Sequence, residues 1–193
     1  MTKIGFVRHG VTAWNKERRA QGISDVPLDE EGFAEAERVG ERLRTDDWDI
    51  IFTSDLMRAR QTAEAIAERM GMARVHPDFR LRERSFGEVE GTTEEERIAE
   101  WGENWYERDL GIEAYEDVVA RGMDFLHDVI TAHSEKNILV VSHGAFIKYL
   151  LMELVTHAPV EESLDNTSIT CLVKSANGWE LELYNCTKHL IES

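Results

Sequence analysis

The chain has 193 residues, 42% of them hydrophobic and 31% charged, enough for one domain of ordinary size with a sizeable core. A formal net charge of -16 argues against nucleic acid and anionic membrane as partners, since both reward a basic surface. No apolar run approaches membrane-spanning length, and an anionic substrate would need a local cationic pocket, because the global field repels it.

The first element is Lys3-Ile4-Gly5-Phe6-Val7-Arg8-His9-Gly10, an apolar run that ends in a cation, an imidazole and a glycine. A run of this kind predicts a buried strand. Arg8 and His9 then sit at its carboxyl end, where open α/β sheets bind ligands. Gly10 is expected to let the backbone turn tightly. Met1-Thr2-Lys3 leading straight into a strand predicts a chain without a secretory leader. Val11 to Gly22 reads as a loop over the strand mouth. Asp29 reads as a helix N-cap with Glu30 and Glu31 in the first turn, and Phe33, Ala36, Gly40 and Leu43 follow at helical spacing. Trp48 to Phe52 is a second short strand. It ends at Thr53-Ser54-Asp55, a capping signal for a helix that buries Leu56, Ala59, Ala63, Ile66 and Met70 and carries Arg58 in its first turn.

Val75 and its neighbours predict a short third strand, and Leu81-Arg82-Glu83 leads through Phe86-Gly87 into an acidic stretch. From Glu88 to Asp117 there are twelve Asp or Glu against Arg97 and Arg108. This segment reads as a cap inserted into a single domain spanning 1–193. Ile98, Trp101 and Trp105 share a helical face there, a stripe more typical of core packing than of substrate contact. A long helix with Val118, Val119, Gly122, Leu126, Val129, Ile130 and His133 along one side comes next. Asn137 to Val141 is the clearest buried strand; it ends in Ser142-His143-Gly144 and runs into a helix with Phe146, Ile147, Leu150, Leu151 and Leu154. Ser168 to Leu183 reads as a hairpin about Asn177-Gly178. Counting outward from that turn sets Cys171 opposite Tyr184 and Cys186 opposite Ile169. The two thiols are then diagonal neighbours without a bridge, which fits a reduced, cytoplasmic protein. Strands alternating with helices predict a largely parallel sheet covered on both faces.

Parallel strands bring their carboxyl ends to one edge, so Arg8, His9, Ser54, Arg58 and His143 can converge, with helix N-termini adding backbone donors. Two guanidiniums and two imidazoles suit a phosphate better than any other small ligand, because guanidinium forks match its oxygens two at a time. Plainer readings stand beside this one. His143 can be a buried strand-end histidine. Glu83 can be a solvated loop acid paired with Arg82 or Arg84, and Glu88 and Glu90 are rival carboxyls. Arg60 reads as a surface cation, and His76, His127, His133, His157 and His189 sit in no motif. No cluster has metal-ligand spacing and there is no glycine-rich nucleotide loop, so neither metal nor cofactor is expected.

Phe6-Val7-Arg8-His9-Gly10 with Asn15 downstream resembles the signature of the histidine phosphatase superfamily, the phosphoglycerate mutase-like proteins. Ser54 through Thr62 is similar to the second motif of that family. Leu81-Arg82-Glu83 with Phe86-Gly87 and Glu90-Gly91 is similar to the third, and Val141-Ser142-His143-Gly144 to the fourth. The motifs follow the family's order over nearly the whole chain. The resemblance implies a three-layer α/β/α fold with a mostly parallel central sheet and a small helical cap at about 88–117. It implies that His9 attacks phosphorus to form a phosphohistidine, that Arg8, Arg58 and His143 hold the phosphoryl oxygens, and that Glu83 protonates the leaving oxygen and then activates water. A carboxyl protonated when substrate arrives favours mildly acidic to neutral pH. Asn15, Gln21 and Gly22 match positions that touch the phosphoryl group or the substrate.

Members of this family hydrolyse phosphomonoesters or move a phosphoryl group between hydroxyls. A mutase must retain a strongly anionic intermediate, and the family's mutases resemble one another in a longer, basic insert. The short acidic insert here points to a phosphatase acting on small phosphorylated metabolites, as a monomer or homodimer. Phosphoglycerate mutase is the alternative, and a catalytically silent phosphate-binding module is a further one.

Overall fold

A computed structural model of the protein describes residues 1–160 and 163–191. Its strands are β1 (Thr2–Arg8), β2 (Ile50–Thr53), β3 (His76–Pro77), β4 (Asn137–Ser142), β5 (Ile169–Ser175) and β6 (Gly178–Cys186). The helices are α1 (Ala13–Lys16), α2 (Glu30–Leu43), α3 (Met57–Met70), α4 (Glu94–Trp101), α5 (Tyr115–Ala132) and α6 (Gly144–Leu154). The strands form one six-stranded sheet in the order β3-β2-β4-β1-β5-β6. β1, β2, β3 and β4 run parallel, while β5 is antiparallel to β1 and β6 to β5.

The apolar runs are continuous because both sheet faces are covered. On one face Ile4, Phe6, Ile138 and Val140 join Val118, Phe125 and Leu126 of α5 and Phe146, Ile147 and Leu150 of α6. On the other, Val7, Leu139, Val141 and Ile51 join Val39 and Leu43 of α2 and Ala59, Ala63 and Ile66 of α3. Each large aliphatic or aromatic side chain so buried stabilises the fold by about 1.5–3 kcal/mol. Gly5 belongs to the second face for reasons of space: a Cβ there would lie 2.4 Å from the Trp48 ring. These two cores make the expected three-layer α/β/α arrangement. No helix among the described residues is long and apolar enough to cross a membrane.

Several local expectations are corrected. The expected loop after Gly10 contains α1, closed by a reciprocal Thr12–Asn15 capping box. Asp29 does cap α2, accepting from the Gly32 N–H, but Phe33 points outward and is 43% exposed. Helix α3 starts at Met57, later than the Thr53-Ser54-Asp55 signal implies, and Leu56 at its N-cap offers no side-chain bond. Asp25 supplies the acceptor instead, its Oδ1 taking the Met57 N–H at 2.6 Å. That leaves Ser54 and Asp55 to other partners. The tryptophan stripe is not one helical face, because α4 stops at Gly102 and Trp105 lies in a separate 3₁₀ turn. No residue of α4 is buried, so the stripe is not core. The hairpin turns at Ala176-Asn177, one residue earlier than expected, and its register slips twice. Cys171 therefore faces Leu183 while Cys186 still faces Ile169, and both thiols are free.

Candidate active site

Register alone brings the two motif histidines together. Arg8 pairs with Ser142 across the parallel β1 and β4, so His9 and His143 are the next residues off adjacent strand ends. Their rings lie 5.2 Å apart. Thr53 pairs with Val141 across β2 and β4, which sets Ser54 one step behind His143. The His143 Nε2 and Ser54 Oγ are 2.8 Å apart. Arg58, in the first turn of α3, is fully buried and reaches across to His9, its Nε 3.3 Å from the His9 Nε2.

The contact to Gly10 assigns the tautomer of His9. His9 Nδ1 lies 2.7 Å from the Gly10 carbonyl, which can only accept, so Nδ1 carries the proton. Nε2 then holds a lone pair, the state a nucleophile needs. Ser54 Oγ accepts from the Leu56 N–H at 3.3 Å and has its own proton to give to His143 Nε2. With the Ser54 proton given to Nε2, the buried and unpartnered His143 Nδ1 is a donor. Arg8 Nε is a second buried donor without a partner, while Arg8 Nη1 donates to the Leu164 carbonyl. Two orphaned donors beside a buried guanidinium describe a cradle for an anion, because each such group is costly to bury unpaired.

Burial, together with the positive charges of Arg58 and Arg8, holds His9 well below its ordinary value of 6.5, and burial with Arg58 does the same to His143. Burial lowers Arg8 and takes Arg58 down to about 10, leaving it charged at neutral pH. Both imidazoles are thus neutral in the fold where an exposed histidine would begin to charge. Below 6.5 the unfolded chain takes up the protons and the folded chain does not, so stability falls with pH from 6.5 down to the lowered folded values. Each histidine contributes a slope approaching about 1.4 kcal/mol per pH unit in that window. In urea unfolding between pH 7.5 and 5.5, His143→Asn is expected to lose stability less steeply than the native protein. Equal slopes would mean His143 is not held neutral.

Glu83 is buried beside this centre, at the N-terminus of α6. Its Oε1 accepts from the N–H groups of Arg84 at 2.9 Å and Phe146 at 3.0 Å, and its Oε2 from that of Ala145 at 3.2 Å. Neither neighbouring arginine pairs with it. Arg82 forks onto Asp55, and Arg84 donates to the Glu113 carbonyl and the Tyr149 hydroxyl. The rival carboxyls are elsewhere: Glu88 is exposed, and Glu90 takes the N–H groups of Ile23 and Phe86 and the Ser24 hydroxyl.

The other expected contacts are tied into the floor of the site. The Thr12 hydroxyl lies 3.1 Å from the Asn15 oxygen and 3.0 Å from the Gln21 oxygen, and its single proton serves one of the two at a time. Gly22 gives its carbonyl to Arg58 Nη2 at 2.7 Å, and Ser24 gives its own to Nη1 at 2.8 Å. Gly22 needs to be glycine, with φ at 51° and Glu90 against the place of a Cβ. Gly10 is needed for space rather than for a turn, since a Cβ there would lie 2.5 Å from the Gly32 carbonyl oxygen. Arg60 is the expected surface cation, paired with Glu64. Asn166 and Thr167 are additions: Asn166 Nδ2 donates to the His9 carbonyl at 2.9 Å, and the Thr167 N–H to that of Arg8 at 2.9 Å. The signal for them is topological, because an antiparallel strand beside β1 must begin where β1 ends.

Residues of the 88–117 segment, Arg97, Trp105 and Tyr106 among them, line a cavity of about 500 Å³ together with Arg18, Arg84 and Phe86. The acidic composition of the segment is therefore not the charge of the cavity it helps to line. Arg19, also on the wall, is paired with Glu17 and Glu96, and Arg97 with Glu94.

A family model for the histidine phosphatase superfamily (branch 1) matches residues 4–187. The chain is an enzyme of the histidine phosphatase superfamily. This superfamily member is 36% identical over 192 residues to a Bacillus subtilis protein named uncharacterized phosphatase PhoE, covering 98% of this chain and 97% of that one. It is 37% identical over 166 residues to the 2,3-bisphosphoglycerate-dependent phosphoglycerate mutase 2 of Gloeobacter violaceus, covering 80% and 76%. Its fold matches the structure of a mycobacterial glucosyl-3-phosphoglycerate phosphatase complexed with VO3, with a TM-score of 0.86, 28% identity and coverage of 96% and 99%. Mutases and phosphatases thus both stand among the relatives of this histidine phosphatase superfamily member.

Proposed function

We infer that this protein hydrolyses small phosphomonoesters through a phosphohistidine on His9. The observation that carries the reading is the His9 Nε2 lone pair, held unprotonated 3.3 Å from a fully buried Arg58 guanidinium. In the first step Nε2 attacks phosphorus and the P–O bond to the alcohol breaks. Arg8, Arg58 and the His143 Nδ1–H meet the phosphoryl oxygens, and Glu83 gives its proton to the departing oxygen. In the second step Glu83 takes a proton from water, the hydroxide oxygen attacks phosphorus, and the bond to Nε2 breaks. Guanidiniums supply the charge stabilisation, so the proposed reaction needs no metal. Asn15, Gln21 and Gly22 frame the phosphoryl group, and the alcohol lies towards the cavity that the 88–117 segment helps to line. A reduced cytoplasmic setting is part of the reading and is supported by the two free thiols.

Phosphate release from p-nitrophenyl phosphate and from 3-phosphoglycerate, with chelator present, tests this. Turnover of 3-phosphoglycerate to 2-phosphoglycerate without free phosphate would replace the phosphatase by the mutase. Native protein that neither releases phosphate nor interconverts the phosphoglycerates, with His9→Ala equally silent, would favour a binding module. The acid role of Glu83 has its own test. Glu83→Gln is expected to lower kcat/KM for an alkyl phosphate by about 10²–10⁴-fold and to spare 2,4-dinitrophenyl phosphate, whose leaving group needs no proton. Equal losses on both esters would take the acid role away from Glu83.

A further inference from the structure

Arg121 lies on α5, outside every motif that the sequence presents, yet all five of its N–H donors are engaged. Nη1 donates to the carbonyls of Arg80 at 2.7 Å and Arg82 at 2.6 Å. Nη2 donates to the Glu83 carbonyl at 3.0 Å and to Glu113 Oε2 at 3.1 Å, and Nε to Glu113 Oε1 at 2.9 Å. Glu113 in turn takes the Ser85 N–H on its Oε2 at 3.0 Å, and its backbone carbonyl takes Arg84 Nε at 2.7 Å. The guanidinium also lies 5.2 Å from the centre of the Phe146 ring, and the Phe146 N–H holds the Glu83 carboxylate. One side chain therefore grips the backbone on the loop side of Glu83 and packs on the residue that orients its carboxyl.

We propose that Arg121, braced by Glu113, is a positioning residue that sets the Glu83 carboxyl for proton transfer to the leaving oxygen. The inference rests on the phosphohistidine reading above. A loop of irregular backbone has no ladder of its own to fix a side chain, so its carbonyls must be held from outside. A planar fork with five donors does this at several points, and an ammonium with three donors on a flexible stem does not. Arg121 touches neither the nucleophile nor the buried donors that face the anion. Its effect should fall on the step that needs the acid and leave phosphoryl capture alone.

The test compares kcat/KM for an alkyl phosphate and for 2,4-dinitrophenyl phosphate in native protein, Glu83→Gln, Arg121→Lys and Glu113→Gln, with thermal unfolding of each. A displaced catalytic group costs up to about 10²-fold, so Arg121→Lys is expected to lose about 10- to 100-fold on the alkyl ester. Its rate on the dinitrophenyl ester should stay within about two-fold, the same split as Glu83→Gln in weaker form. Glu113→Gln keeps the shape of the brace and should show the split more weakly still; it carries the test alone if Arg121→Lys does not fold. Equal losses on both esters, or no loss on either, overturn the positioning role. Native protein that releases no phosphate from either ester overturns the underlying reading instead.

Discussion

His9→Ala is expected to remove turnover, lowering kcat by about 10⁵-fold or more, on the scale seen when a covalent nucleophile is deleted. The fold should survive. The His9 backbone is held by its own N–H on the Ser142 carbonyl at 2.9 Å and by Asn166 and Thr167 on its carbonyl, none of which involves the ring. The variant also sheds a group that resists protonation in the fold, so it should lose stability less steeply than native protein below pH 6.5. Arg8, Arg58 and His143 remain, so phosphate and substrate should still bind. Rapid quenching during turnover of a labelled substrate should trap acid-labile, base-stable phosphate on native protein and none on the variant. Residual turnover within about ten-fold of native would mean that water attacks the ester directly, because losing a true nucleophile cannot cost so little.

The contacts of this centre show what can be read along a chain and what cannot. His9 and His143 are legible because apolar runs end at them, and the parallel sheet implied by alternating elements puts such ends on one edge. Arg58 is legible as a helical position close to that edge. Asp25, Asn166 and Arg121 are not, since their partners lie 32, 157 and 38 residues away and nothing local marks them. The α3 cap misleads for the same reason. Ser54 has the right chemistry for a cap, but its hydroxyl is drawn to His143, and a distant carboxylate closes the helix. The hairpin register fails because Gly178 begins β6, so counting from an Asn-Gly turn starts one residue late and meets two slips. The acidic 88–117 segment misleads differently. Composition sums over side chains, whereas a cavity presents only those on its wall, and Arg18 and Arg84 come from outside the segment.

Arg58→Ala should be nearly as damaging as loss of the nucleophile, because one side chain performs three tasks. Its two Nη groups hold the Gly22 and Ser24 carbonyls at 2.7 and 2.8 Å, so alanine leaves two acceptors without donors and opens a void. Each abandoned acceptor costs about 1–3 kcal/mol where it stays dry, and the floor of the site should loosen. Its Nε–H rests on the His9 lone pair until a phosphoryl oxygen draws it away. That donor then meets charge in the transferring group, a contact whose loss lowers kcat by about 10³–10⁵-fold for arginines of this kind. Arg58→Lys keeps the charge but not the fork and should recover only part of the rate. The third task gives the sharper test. After burial, the Arg58 charge is the largest influence holding His9 low, so its removal must let the imidazole rise towards 6.5. A higher value means that the nucleophile is protonated at higher pH. The acid limb of kcat/KM should therefore move upward in Arg58→Ala, with activity at pH 6 falling further relative to pH 8 than in native protein. An acid limb that stays in place would show that Arg58 does not govern the protonation of His9, and the two residues would have to be assigned separate roles.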